Sequence, residues 1–338
     1  MRGLVVIGLM AANSASAPDL PLAGMTDSYK PRPGPVGHHG GMETYLAAAS
    51  DFMAAHARLL DRRRFDLQLG RCRPDDVLTA LAAYRNADGG YGWGLEPDLR
   101  ARGSQPGGAL HAFEVLEEVG PVGADDARRL FDWLGSITLA DGGLPFALPI
   151  PEDETAGTAP WWLETDPLES SLHATAMLAG IAHRVARNDE NLRRHAWLEG
   201  ASAYTLRKIT ELDGPPHAIE FAFVLRFLDA AHDRLPGAAA ELARLGGFLP
   251  TSGVLPVEGG VEGEAIRPLD FSPYPGGPLR DLFAAEVITA ELARLASQRQ
   301  SDGGWIVDWV ARSPAGALDW RGWATVRAVM ILRAHPPS

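Results

Sequence analysis

Three copies of one short motif constrain the fold of this chain more than any other feature. The tripeptide Asp-Gly-Gly occurs at residues 88–90, 141–143 and 302–304. The first two copies lie 53 residues apart and the last two 161 apart, close to three times that spacing. A fixed period of this length is typical of repeat architectures, in which each unit packs mainly against its neighbours. We therefore expect one structural unit of about fifty residues, repeated along the chain.

Each motif is preceded by one kind of helical pattern and followed by another. The preceding segments carry apolar residues on one face only: 75–85, 125–137 and 282–298. The following segments are rich in small residues and apolar around most of their circumference: 105–119, 167–186 and 320–333. A helix without a polar face must be covered on all sides. The chain is thus predicted to be all-α, with alternating outer and inner helices.

The start of one inner helix has a specific sequence pattern. Asp166 is followed by Pro167, and Glu169 stands three residues after Asp166. This order matches a capping box with proline at the first helical position. We therefore predict that this inner helix begins at Pro167.

The segments Gln300–Trp305 and Asn86–Tyr91 resemble the Gln…Asp-Gly-Gly-Trp element of the prenyltransferase and squalene-cyclase repeat superfamily. The likeness implies an (α/α)5-6 toroid over residues 42–338 that binds an isoprenoid or other apolar small molecule in a central cavity, without a cofactor. The chain departs from the known enzymes, because it has no Asp-x-Asp-Asp acid motif and Cys72 lies outside the inner helices, where a zinc ligand would be needed. No metal is expected.

In such a ring, the loops from outer to inner helices open at one mouth. Loop carboxylates beside aromatic residues suit acid-initiated cyclisation, because ring faces stabilise a carbocation and an apolar setting keeps an acid protonated. The candidate catalytic residues are Glu96, Asp98, Asp166 and Asp308. The candidate substrate-binding residues are Trp93, Arg100, His111, Trp161, Trp162, His173, Trp305, Trp309, Trp320 and Arg321.

Structural roles compete with these assignments. Asp166 also fits an N-cap, and Asp308 could form an ion pair with a nearby arginine. The aspartates of the three motifs are expected to bond backbone amides within their turns. Lone histidines on inner helices, such as His111 and His173, are more often core residues than ligands.

Three functions remain open at this stage. The first is a terpene-cyclase-like enzyme, the second a carbohydrate-active lyase or hydrolase, and the third a non-catalytic ring that binds a peptide or another ligand. Aromatic walls with paired carboxylates are compatible with the first two. In the third function, the chain binds a ligand and catalyses no reaction.

The amino-acid composition limits which partners and compartments are expected. The net charge is −12 at pH 7, so no basic surface for nucleic acid is expected, and the single cysteine excludes an intrachain disulfide. No run of about 18 apolar residues predicts a membrane span. Residues 1–41 are expected to form a flexible leader or a signal peptide; a cytoplasmic location is predicted, with secretion as the alternative.

Overall fold

A computed structural model describes residues 41–336, with side chains from residue 45 onward, and this range is all-α as predicted. The predicted leader or signal peptide lies outside the described residues except for Gly41, where the first helix begins. The strands within the described range are two-residue pairs that join loops. The fold therefore rests on helix packing.

The structure consists of long helices that are joined by loops and short helices. The α-helices are α1 (Gly41–His56), α2 (Leu59–Gln68), α3 (Pro74–Leu81), α4 (Pro106–Val119), α5 (Ala124–Ile137), α6 (Pro160–Leu163), α7 (Leu172–Val185), α8 (Glu190–Arg193), α9 (Ala196–Thr210), α10 (Ala218–Ala231), α11 (Ala238–Gly246), α12 (Pro268–Phe271), α13 (Ala285–Ser297) and α14 (Pro314–Ala334). Short 3-10 helices are Ala82–Tyr84, Gly120–Gly123, Glu152–Glu154, Ala186–Asn188 and Arg280–Leu282. The antiparallel strand pairs are β1 (Leu144–Pro145) with β2 (Ser170–Ser171), and β3 (Leu255–Pro256) with β4 (Ala265–Ile266).

Successive helix contacts form a closed series, in which the last helix packs on the first. Helix α2 packs on α3, α3 on α4, α4 on α7 and α7 on α10. Helix α10 packs on α12, α12 on α13 and α13 on α14, and α14 packs on both α1 and α2. The helices α5, α9 and α11 contact the outer sides of α4, α7 and α10. The chain thus joins its last helix to its first.

The three Asp-Gly-Gly loops pack in the same way, each against the next outer helix. In each loop the aspartate Oδ1 accepts a hydrogen bond from the N–H of the second glycine, as predicted. The first glycine has a φ of 93–94° and lies against the backbone of another helix. The backbone residues that a Cβ would meet are Arg129 of α5 for Gly89, Gly200 of α9 for Gly142 and Ala48 of α1 for Gly303. The three loops therefore make equivalent contacts, and the last one contacts the first helix.

Two predicted helix starts are wrong. Helix α14 begins at Pro314, six residues before the predicted residue 320. Helix α7 begins at Leu172, five residues after Pro167, and the hydroxyl of Ser171 caps it by accepting a hydrogen bond from the N–H of Ala174. Ser170 and Ser171 pair with β1 instead of continuing a helix. Asp166 caps only a local turn, in which Oδ1 accepts a hydrogen bond from the N–H of Leu168. A serine cap and a strand pair therefore replace the predicted capping box.

Two apolar clusters fill the space between inner and outer helices. The larger cluster joins α3 to α11 and includes Phe113, Phe131 and Phe227. The smaller one joins α1, α13 and α14 around Phe52 and Trp305. Burial of these side chains supplies the main stabilising term, because each fully buried large apolar residue contributes roughly 1.5–3 kcal/mol.

Candidate functional site

The first long loop, residues 92–102, buries two carboxylates. Asp98 is 2% exposed: its Oδ1 accepts a hydrogen bond from the N–H of Arg312 at 2.9 Å, and its Oδ2 accepts one from Nε1 of Trp320 at 2.7 Å. Burial raises the pKa of Asp98, and the two hydrogen bonds oppose this rise. Because both oxygens are occupied by the protein, Asp98 holds the loop against the start of α14.

The second carboxylate of this loop reaches an inner helix. Oε1 of Glu96 accepts a hydrogen bond from the N–H of Asp98, and Oε2 lies 2.7 Å from Nε2 of His111 on α4. The other imidazole nitrogen, Nδ1, lies 3.0 Å from Oε2 of Glu114, one turn further along α4. Nε1 of Trp323 donates a 2.8 Å hydrogen bond to the same Glu114 oxygen. His111 therefore bridges two carboxylates.

This arrangement sets the charges of the network. Burial alone would lower the pKa of His111, but Glu114 and Glu96 outweigh it and raise the pKa to about 9. Burial would raise the pKa of Glu114, but His111, Arg64 and Trp323 lower it to about 2. At neutral pH the imidazole is thus a cation, and Glu114 is a carboxylate.

Glu114 is the accessible end of the network. The side chains of His111 and Glu96 are 4% and 8% exposed, whereas that of Glu114 is 19% exposed. Its partners are Arg64 of α2, His111 of α4 and Trp323 of α14. The network therefore connects a buried loop with a partly exposed carboxylate.

Aromatic side chains follow one another beside this network. The ring of Trp162 stacks on Phe146 at 4.9 Å, Phe146 meets the edge of His173 at 5.2 Å, and His173 lies 5.1 Å from Phe223. A Cβ on Gly107 would lie 3.0 Å from Trp162 and 3.4 Å from Glu96, which places this wall next to the carboxylate. Burial lowers the pKa of His173 to about 4, so its imidazole is neutral.

A second aromatic group lies on the other side of His111. The ring of Trp320 lies 5.6 Å from the imidazole and 5.4 Å from Trp323, and Trp309 meets Trp320 edge to face at 4.9 Å. The guanidinium of Arg100 donates a 2.8 Å hydrogen bond to Oδ2 of Asp319, the residue before Trp320. Loop 92–102 and helix α14 therefore form one surface.

Charged side chains form ion pairs between these helices and their neighbours. Arg184 on α7 bonds Glu117 on α4 at 2.9 Å, and Arg327 on α14 bonds Asp270 at 2.9 Å. All four of these side chains are only partly buried. We use the name lumen for the solvent-accessible space at the partly buried side chains of Glu114, Arg184, Phe223, Arg226, Trp323 and Arg327.

The structure brings together nine of the residues proposed from sequence. Glu96, Asp98, His111, Trp309 and Trp320 belong to the network or contact it. Trp162 and His173 form the aromatic wall, Arg100 bonds Asp319 near it, and Trp161 lies under the guanidinium of Arg312 at 5.0 Å. These residues come from two separate loops and from the helices α4, α6, α7 and α14.

The other proposed residues have partners elsewhere. Asp308 is exposed and lies 4.0 Å from Arg294 of the outer helix α13. Trp93 is half exposed and donates a hydrogen bond to the side chain of Asn86. Trp305 is buried and donates to the carbonyl of Leu295, while Arg321 bonds Asp302 and covers the ring of Phe52 at 4.5 Å. Together with the exposed Asp166, these residues belong to the framework and not to the network.

Several residues of the site are absent from the sequence-based set. They are Glu114, Phe146, Phe223, Arg226, Trp323 and Arg327. Helical spacing could have found two of them, because Glu114 follows His111 by three residues and Trp323 follows Trp320 by three, which places each pair on one helix face. Nothing in the sequence indicated which face of α10 or α14 would turn inward.

Two further properties apply to the part of the chain that the structure describes. Within residues 41–336, no group of three or more His, Cys, Asp or Glu side chains is arranged to hold a metal ion. Over the same range, none of the helices combines the length and the apolar character needed to cross a membrane.

Comparison with known proteins identifies no family. No protein-family model matches the chain, and no curated protein matches it. Among solved structures, the chain is similar to a protein from Actinoplanes, with a TM-score of 0.48 and 14% sequence identity over 86% of this chain and 99% of that one. Function must therefore follow from the residues of the site.

Proposed function

We propose that this protein is an α/α toroid that binds an unsaturated, isoprenoid-like small molecule in its lumen and catalyses its cyclisation or double-bond isomerisation. The closed order of helix contacts supports the toroid, because the last Asp-Gly-Gly loop packs on α1. The observation that carries the chemistry is the Glu96–His111–Glu114 network, which ends in a lumen walled by aromatic rings.

The aromatic walls support a substrate on which positive charge develops. The face of an aromatic ring attracts a nearby cation by about 0.5–2 kcal/mol, and the attraction is largest where water is excluded. Phe146, Trp162 and Phe223 form one continuous wall, and Trp323 lies at the accessible carboxylate. A hydrocarbon chain would lie against these rings with its reacting carbons near Glu114.

The proton step is assigned to Glu114 rather than to Asp98. Asp98 has the raised pKa that a general acid needs, but both of its oxygens accept hydrogen bonds from the protein and it is almost fully buried. Glu114 is ionised and partly exposed, so it can take a proton from an allylic carbon and return it to the other end of the double bond, which moves that bond and leaves the composition of the substrate unchanged. The imidazolium of His111 stabilises that carboxylate and holds its orientation.

One observation favours a second candidate, a toroid that binds its ligand without chemistry. Both nitrogens of His111 are bonded to carboxylates of the protein, so the network also ties loop 92–102 to α4 and α14. Buried polar groups are normally satisfied in this way for structural reasons alone. The two candidates share the ligand site and differ in whether Glu114 exchanges a proton.

The test is incubation of the full chain with squalene, farnesol and farnesyl diphosphate, with binding followed by tryptophan fluorescence and products by mass spectrometry. We expect quenching of the tryptophan signal and a product of equal mass but different retention time from at least one compound. Glu114→Gln should keep binding and lose at least 100-fold in turnover, because the base is removed and the shape retained.

The matched control is Glu199→Gln, on the exposed face of α9, which should behave as the wild type. Binding without any product in the wild type would support the non-catalytic toroid and exclude the enzyme. Absence of both binding and product with all three compounds would overturn the isoprenoid-like ligand.

A further inference from the structure

Arg226 is a charged side chain of the lumen that the proposed chemistry does not use. It lies on α10, three residues after Phe223, and its guanidinium carbon is 5.7 Å from the centre of the Phe223 ring. The side chain is half-buried. Among the residues that the structure describes, none forms a hydrogen bond or an ion pair with Arg226.

The two arginines near Arg226 differ from it in this respect. Arg184 on α7 bonds Glu117 at 2.9 Å, and Arg327 on α14 bonds Oδ1 of Asp270 at 2.9 Å. Their charges are therefore largely compensated within the protein. Arg226, on α10, has five N–H donors without a described acceptor.

The surroundings of Arg226 disfavour its charged form, mainly through burial. Burial lowers its pKa to about 10, and the guanidiniums of Arg184 and Arg327 contribute to this shift. The carboxylates of Glu114 and Glu117 act in the opposite direction but do not compensate it. An unpaired cation in such a setting is unfavourable, so a bound anion would remove the penalty.

We propose that Arg226, with Arg184 and Arg327 beside it, forms an anion subsite that holds the carboxylate or phosphate group of the molecule bound in the lumen. The ligand is then an amphipathic organic anion. Its apolar part lies against Phe223 and the aromatic wall, and its head group binds one helical turn further along α10. This inference rests on the proposed ligand site in the lumen and adds the chemical class of the ligand.

The geometry suits this class of ligand. A guanidinium is planar and can bind the two oxygens of a carboxylate or phosphate at once. The contact with Phe223 restrains the side chain of Arg226, which reduces the entropy lost when an anion is bound. A neutral isoprenoid or hydrocarbon would leave the guanidinium without an acceptor.

The test measures binding of four ligands to the full chain by calorimetry at constant ionic strength. Octanol, octanoate and octyl phosphate share one chain and differ in the head group, and inorganic phosphate has no chain. We expect octanoate or octyl phosphate to bind at least 10-fold more tightly than octanol, and their order distinguishes a carboxylate from a phosphate ligand. Arg226→Gln should abolish this preference and leave octanol binding unchanged.

Two variants control for folding and for general charge. Arg226→Lys keeps the charge and should retain most of the preference, whereas Arg62→Gln removes an exposed charge on α2 and should retain all of it. An anion preference that is absent, or that survives Arg226→Gln, would overturn the subsite while octanol binding left the lumen site intact. Binding of no octyl compound would instead overturn the apolar site, and binding of phosphate alone, lost in Arg226→Gln, would support the subsite by itself.

Discussion

The indole N–H of Trp320 donates a 2.7 Å hydrogen bond to Oδ2 of Asp98, although the two residues are 222 positions apart. The same aspartate accepts a hydrogen bond from the backbone N–H of Arg312, just before α14. A buried carboxylate thus connects the first long loop with the last helix. Beside it, Glu96 carries the connection on to His111 and the lumen.

Replacement of Asp98 by alanine should destabilise the protein strongly. The change leaves the N–H groups of Trp320 and Arg312 buried without acceptors, and each such group costs about 1–3 kcal/mol. Urea denaturation should show a decrease of roughly 2–5 kcal/mol in the free energy of unfolding. Asp166→Ala is the control, because that exposed residue caps only a turn, and it should change stability by less than about 1 kcal/mol. Equal effects of the two variants would contradict the assigned role of Asp98.

The stability that His111 provides should decline at alkaline pH. Its pKa is raised to about 9 in the folded protein, against about 6.5 in an unfolded chain, so its contribution is fully present below pH 6.5 and is lost as the pH rises through 9. The difference in unfolding free energy between the wild type and His111→Gln should narrow by about 2–3 kcal/mol between pH 6 and pH 10. Chemical denaturation of both proteins across that range measures the difference.

The charge state of His111 should depend on Glu114. Glu114→Gln removes the carboxylate at Nδ1 while its amide oxygen can still accept the hydrogen bond from Trp323, so the pKa of His111 should fall by at least about one unit. NMR titration of the imidazole provides the measurement. Glu117→Gln on the same helix removes a carboxylate that bonds Arg184 and should shift the pKa by only a few tenths. An unchanged midpoint in Glu114→Gln would show that another group holds the proton.

Two glycines with the same backbone angle should differ in their tolerance of alanine. Gly303 and Gly237 have φ values of 93° and 92°. A Cβ at Gly303 would lie 2.1 Å from the carbonyl oxygen of Ala48. A Cβ at Gly237 would have no neighbouring heavy atom within 4 Å. Gly237→Ala should cost about 1 kcal/mol from backbone strain alone. Gly303→Ala should lower the unfolding free energy by several kcal/mol in thermal or urea denaturation, because the loop must move away from α1.

The sequence predicted well those helices whose ends are set by neighbouring residues in the chain. The predicted segments 105–119 and 125–137 match α4 and α5 to within one residue. The predicted start at Pro167 failed because pairing of Ser170 and Ser171 with Leu144 and Pro145 competes with the helix, and that partner lies elsewhere in the chain. A local sequence pattern does not show that a distant strand will pair with residues at the start of a helix.

The candidate site was predictable in part for the same reason. Glu96 and Asp98 stood out as loop carboxylates beside a proline, and His111 as a polar residue on an apolar helix. Asp308, Arg321 and Trp305 have the same residue types, yet the structure gives them framework partners. Residue type alone could not separate the two groups, because the distinction depends on which side chains meet.

The sequence by itself determined the all-α character of the described chain and the position of its three Asp-Gly-Gly turns. Both follow from interactions within a few residues, namely the helical period of apolar side chains and the left-handed backbone that glycine permits. Only the tertiary structure decided that Glu114 is the open end of the network and that Arg226 has no described partner. Those properties depend on contacts between helices, such as the bond between Trp323 and Glu114 across 209 residues, which no local pattern encodes.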